Sequence, residues 1–153
     1  MSIERRIYFA APFFSSAELE YNLRTVGLLE ESWRVFYPYR DGERLSELVA
    51  RGETPEAAAK RVWDCDVAEI QRASILVAVL DGRVPDEGVC VEIGLARGLG
   101  KFVVGLSTDV RSCFRWGDNP MVASCLDAHC KSTAELLSVL HSRSAEGRCP
   151  TSR

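Results

Sequence analysis

Positive charge, histidine, paired cysteine motifs and long apolar runs are all scarce in this chain. Nineteen lysines and arginines stand against 22 aspartates and glutamates, for a formal net charge of −3. A protein that works on phosphate backbones usually carries a basic surplus. A nucleic-acid partner is therefore not expected, while a small neutral or anionic nucleotide-like ligand stays open. Only His129 and His141 represent histidine, and the six cysteines at 65, 90, 113, 125, 130 and 149 form no C-x-x-C pair. No metal is expected without such ligand spacing. No apolar stretch reaches the roughly 20 residues of a membrane span. The opening MSIERRIYFAAPFF runs almost directly into strand-like sequence, without the apolar core and cleavage site of a secretory signal. A cytoplasmic location with reduced, packing thiols is the expectation. Neither G-x-G-x-x-G nor a Walker loop occurs. The glycine-rich run GLARGLG, residues 94–100, falls where a helix should stop.

What is present is an alternation of strands and helices. The 153 residues suit one domain, 46% hydrophobic and 27% charged. RIYFA at 6–10 reads as a first strand ending before Pro12, and RVFY at 34–37 as a second, stopped by Pro38. Between them, Leu19, Leu23, Val26 and Leu29 recur at helical spacing over 17–31, behind capping serines Ser15 and Ser16. Residues 39–53 are polar, with a helical turn expected near Leu45 to Val49. Thr54-Pro55 is a strong helix start, and the helix should run to Arg72. SILVAVL at 74–80 is apolar throughout, as a strand covered on both faces is. After the loop DGRVPDEG come a helix over 89–99 and the buried strand FVVGL at 102–106. Residues 107–124 look irregular, with a short helix near Pro120. Ser132 and Glu135 form a capping-box pattern before a last helix to about His141. The pattern predicts a three-layer α/β/α sandwich on a Rossmann-like, mostly parallel sheet of about five strands. The domain is expected to span 1–142, with residues 143–153 as a disordered tail.

In such a fold the loops at the carboxyl ends of the strands build the site. The loop after the third strand brings Asp81, Asp86, Glu87 and Glu92 within twelve residues. Glu92 falls in the first turns of the next helix, where N–H groups and the dipole are expected to keep a carboxylate ionised. Gly88 and Gly94 permit close approach of a ligand. An ionised carboxylate beside a sugar is what glycosidic substitution requires; the plain alternative is a helix-capping acid in a solvated acidic loop. Asp66, on the preceding helix, faces Glu92 across the cleft if it points to the carboxyl end of the sheet, and otherwise is a surface acid beside Asp64 and Glu69. Tyr8 either satisfies its hydroxyl on backbone or aims it at a carboxylate. Phe13 and Phe14 either stack on a base or close the core edge.

These residues resemble the nucleoside 2-deoxyribosyltransferase family over most of residues 6–130. The resemblance rests on Ile7-Tyr8-Phe9 with Pro12 and Phe13, on Phe36-Tyr37-Pro38 with Arg40-Asp41, and on Asp66. Its strongest part is LVAVLDG followed by PDEGVCVEIGLARGLGK, in which Asp86, Gly88, Glu92, Gly94 and Ala96 fit the family pattern. The resemblance implies that Glu92 attacks the anomeric carbon and that Tyr8 orients it. It implies that Asp66 handles the proton of the base and that Asp86 holds sugar hydroxyls. Gly88, Phe13 and Asp81 join the expected substrate-binding set. Asn119 in GDNPMV resembles an asparagine that reaches a neighbouring subunit's site, although Pro120 departs from the usual leucine-like residue. The implied activity exchanges the base of a 2′-deoxynucleoside for a free nucleobase, with no cofactor, in a homo-oligomer whose sites are shared. Two alternatives stand beside it. One is a nucleoside 5′-monophosphate N-glycoside hydrolase, using Ser15 and Ser16 for phosphate. The other is a non-catalytic nucleotide-binding module, against which Tyr8, Asp66, Asp86 and Glu92 occurring together argue.

Overall fold

The computed structural model describes residues 6–111 and 119–146. Strand β1 (Arg6–Ala10) is buried from Ile7 onward. Because side chains alternate across a strand, Ile7 and Phe9 join one core while Tyr8 and Ala10 join the other. Helix α1 (Ser16–Glu30) starts on a full capping box: Ser15 accepts the Glu18 N–H, and the Glu18 carboxylate accepts the Ser15 N–H. Strand β2 (Arg34–Phe36) is one residue shorter than its apolar run suggests. Tyr37 instead caps the start of α2 (Pro38–Asp41), a short helix that the sequence pattern did not announce. Helix α3 (Leu45–Ala50) follows, then α4 (Pro55–Arg72), whose cap Thr54 accepts the Ala57 N–H.

Strand β3 (Ile75–Val79) is buried at every position, as its unbroken aliphatic sequence requires. Helix α5 (Glu87–Gly98) begins two residues before Val89, because the Asp86 carboxylate accepts the Val89 N–H and fixes the first turn there. It stops as expected: Gly100 takes φ +69, and the Lys101 N–H returns to the Ala96 carbonyl at 3.0 Å. Strand β4 (Phe102–Leu106) is followed by α6 (Pro120–Ala123). Strand β5 (Ala128–Cys130) was not evident in the sequence, being three residues long and half-buried at its start. Helix α7 (Thr133–Glu146) continues past His141. The segment 143–146, expected in a disordered tail, is therefore helical; 147–153 lie outside the described residues. At its start Ser132 accepts the Glu135 N–H, but the Glu135 carboxylate takes the Lys131 N–H, one residue before the expected partner.

All neighbouring strands run parallel in the order β2-β1-β3-β4-β5. The sheet is covered on both sides. One core packs Ile7, Phe9, Val77 and Val104 with α1 and α7 residues such as Leu29, Leu136 and Leu140. The other packs Tyr8, Ala10, Leu76 and Val103 with α4 and α5 residues such as Ile70, Ile93 and Ala96. Full burial of each large side chain contributes about 1.5–3 kcal/mol. A Cβ on Gly105 would stand 2.7 Å from Leu126 Cδ1 and 2.9 Å from Leu80 Cδ1, so a larger residue there would make those two side-chain ends shift. The chain order reverses between β1 and β3. Their carboxyl ends form the crevice where open α/β sheets bind ligands.

Candidate active site

A cavity of about 620 Å³ opens at that crevice. Three parts of the chain line it. The loop after β1 gives Ala11, Phe13 and Phe14; the segment 38–46 gives Tyr39, Glu43, Arg44 and Ser46; α4 and α5 give Val62, Asp66, Asp86, Gly88 and Glu92. One wall is aromatic: the Phe13 and Phe14 rings stack with centroids 5.4 Å apart, and Phe13 lies 5.6 Å from Tyr39. An apolar wall facing a few convergent polar groups suits a flat, uncharged ligand body.

The polar end is acidic. The Tyr8 hydroxyl, fully buried on β1, donates to Glu92 Oε1 at 2.5 Å. Glu92 sits in the second turn of α5 and Asp66 one turn beyond Val62 on α4, so both side chains enter the cavity. The chain therefore brings together Tyr8, Asp66, Asp86, Gly88, Glu92 and Phe13. Asp86 has a second duty as the cap of α5.

Burial dominates the electrostatics. It pushes the Glu92 carboxyl up to about 8, against the lowering effect of the Tyr8 hydrogen bond and with help from Asp66 and Asp86. Burial thus opposes the ionisation expected of Glu92 from its helix position. The first-turn N–H of Val89 is already used by Asp86, and the dipole effect fades beyond that turn. Burial also raises Asp66 to about 6. Tyr8 is raised well above the ordinary phenol range, by burial first and the Glu92 carboxylate second, so its hydroxyl remains a donor.

Asp81 does not reach the cavity. Its carboxylate accepts the Thr108 N–H at 2.5 Å, the Thr108 hydroxyl at 2.6 Å and the Asp109 N–H at 2.9 Å. It ties the β3 and β4 loops together, and its expected substrate-binding role moves to a supporting one. Asn119 does not line the cavity of its own chain either; its side chain caps α6 by accepting the Met121 N–H at 2.9 Å.

Three contributors escaped the sequence reading. Arg44 and Glu43 come from the polar stretch 39–53, where nothing marked one charge above another. Asn22 was hidden among helical polar residues. Its amide, 1% exposed, donates to the Pro12 carbonyl at 2.8 Å and to the Tyr37 hydroxyl at 2.9 Å. It joins the two segments that carry the aromatic wall.

The sequence model of the nucleoside 2-deoxyribosyltransferase family matches residues 7–139. The chain belongs to this family. Its members carry out glycosyl transfer on nucleosides. A conserved protein from Enterococcus faecalis superposes with a TM-score of 0.72 at 25% identity, covering 90% of this chain and 98% of that one. The 2-deoxyribosyltransferase of Bacillus psychrosaccharolyticus gives 0.72 at 23% identity, with 88% and 95% covered. A CMP N-glycosidase from Clostridium botulinum gives 0.52 at 17% identity, with 89% and 98% covered. The last two likenesses are of fold. A comparison with curated protein sequences returns no match. The family's three-layer fold agrees with the predicted architecture. Among the described residues no helix is long and apolar enough to cross a membrane.

Proposed function

We propose that this chain exchanges the base of a 2′-deoxynucleoside through a covalent deoxyribosyl–Glu92 intermediate, with net retention at the anomeric carbon. The observation that carries this reading is the Tyr8–Glu92 hydrogen bond of 2.5 Å in a cavity that also holds Asp66. Near neutral pH the two carboxyls share one proton, and one of the two ways to place it is reactive. The reactive placement has the charge on Glu92, where the Tyr8 hydroxyl donates, and the proton on Asp66.

The ionised Glu92 attacks the anomeric carbon as its bond to the base nitrogen breaks. The bond's electron pair leaves with the base, and Asp66 supplies a proton to the base. A second base then attacks the same carbon, Asp66 takes back a proton, and Glu92 is released as carboxylate. Two inversions give retention. Phe13 packs on the base, and Asp86, with Gly88 beside its carboxylate, serves the sugar. Asp81 holds the adjoining loop.

The hydrolase reading has support in the fold likeness to a CMP N-glycosidase. It needs donors free for phosphate in the loop after β1. There the Phe14 and Ser15 N–H groups donate to Glu18 at 2.9 and 2.7 Å, and the Ser15 hydroxyl caps α1. A carboxylate already occupies those donors and would repel a phosphate, so transfer between nucleosides is favoured. The test incubates the protein with a deoxynucleoside, with and without a second free base, and follows products by chromatography. New nucleoside is expected. Free sugar alone would establish hydrolysis, and binding without turnover would establish a non-catalytic module.

A further inference from the structure

We infer that Arg44 reads the exocyclic group of the base and selects bases that carry an oxygen there, 6-oxopurines and 4-oxopyrimidines, over their amino counterparts. The inference rests on the reading above, in which Asp66 serves the base. Four acids line the cavity: Glu43, Asp66, Asp86 and Glu92. Arg44 is its one cation among the described residues.

Arg44 stands on the base side. Glu43, next to it, is tied by an ion pair with Arg61 at 2.6 Å to α4, the helix that carries Asp66. Asp86 and Gly88, assigned to the sugar, belong to α5 and its cap. The guanidinium is also held in place. It lies 4.6 Å over the Tyr39 ring, its Nε donates to the Tyr39 carbonyl at 3.3 Å, and Nη1 pairs with Glu47 at 3.0 Å. Guanidinium carries five N–H donors and no acceptor, and these two polar contacts engage two of them.

A donor-only group beside the aromatic wall donates to an oxo group and leaves an exocyclic amine without a partner in that group. The chemistry adds to the preference. When the glycosidic bond breaks, the electron pair enters the ring and, in an oxo base, spreads onto the exocyclic oxygen. A hydrogen bond from Arg44 strengthens as that charge grows, while Asp66 delivers its proton to the ring. Sites built to pair a polar group discriminate strongly against analogues lacking it.

The test compares kcat/KM for matched pairs, deoxyinosine against deoxyadenosine and deoxyuridine against deoxycytidine, in the parent, Arg44→Ala and Arg44→Lys. Circular dichroism and melting establish that each variant is folded. The parent should favour the oxo member of each pair by about tenfold or more. Arg44→Ala should lower that ratio about tenfold, and Arg44→Lys should restore part of it. Calorimetric binding of hypoxanthine and adenine should follow the same order. A ratio unchanged within threefold in Arg44→Ala, or a parent that favours amino bases, overturns the assignment and leaves base exchange standing. An inactive parent that still binds hypoxanthine in an Arg44-dependent way overturns base exchange and leaves the assignment standing. Failure to bind either base overturns the assignment.

Discussion

At the residue scale, Glu92 meets two opposed demands. It must be ionised to attack a carbon, yet its enclosure holds its carboxyl up at about 8. Sharing one proton with Asp66 reconciles them, and a pH profile follows. Below about 6 both carboxyls are protonated and no nucleophile remains; above about 8 both are ionised and no acid remains. Parent kcat/KM should be bell-shaped between those limbs. Asp66→Asn should slow turnover most for bases that need a proton to leave. It should also replace the bell by a single rise with pH, because only Glu92 still titrates. Retention of both limbs would show that Asp66 is not the acid. Glu92→Gln should abolish exchange in a folded protein, and near-normal turnover would reject the nucleophile. The same substitution tests linkage. A carboxyl raised in the folded state gives stability that is complete below its unfolded value of 4.5 and is lost as pH rises through about 8. Glu92→Gln removes that loss. Relative to the parent, its unfolding free energy in urea should gain between pH 4 and pH 9.

At the scale of elements, helix starts do more than begin helices. The α1 box binds Glu18 to the N–H groups of Phe14 and Ser15, and so fixes the loop that holds Phe13 at the cavity. Glu18→Ala should cost about 1 kcal/mol in urea denaturation. It should also raise KM more than it lowers kcat, since the aromatic wall loosens while Glu92 is untouched; an unchanged KM would separate the cap from the site. The cap of α5 works similarly. Asp86 holds the first turn of the helix that carries Glu92, so one carboxylate both sets the helix start and lines the cavity. Thr54-Pro55, Ser15 and Gly100 announced their helix ends in the sequence because caps are local chemistry. β5 and α2 were silent, because three- and four-residue elements are held by their neighbours, not by any periodicity of their own.

At the scale of the whole molecule, the reversal of chain order between β1 and β3 gathers residues far apart in sequence, Tyr8 and Glu92 being 84 positions distant. Asn119 does not line its own cavity; it caps a short helix whose Met121 is 78% exposed. The apolar neighbour Trp116 lies outside the described residues. The family resemblance gives Asn119 a place in a partner's sugar pocket, and a homo-oligomer with shared sites is the corresponding proposal. Asn119→Ala should lower activity, and mixing it with inactive Glu92→Ala subunits should restore a fraction of sites, since one shared pocket can receive both intact residues. If subunits are shown to exchange and nothing is restored, the shared site is wrong. A monomer by sedimentation at assay concentration would reject it directly.

The alternation of buried strands with capped helices was legible in RIYFA, SILVAVL and FVVGL, because burial on two faces demands continuous apolar sequence. The likeness of residues 76–101 to a glycosyl-transfer pattern was legible too, because that chemistry lies within one loop and one helix. Three matters waited on the folded chain. Whether Asp66 faced Glu92 or the solvent depended on how α4 packs on the sheet. Asp81 proved to hold a loop, because its partners Thr108 and Asp109 come from the segment after β4, 27 and 28 positions away. The charge on Glu92 could not be read from its helix position, since a carboxyl's proton affinity follows the water excluded around it, and that exclusion exists only after Tyr8, Asp66 and the aromatic wall have come together.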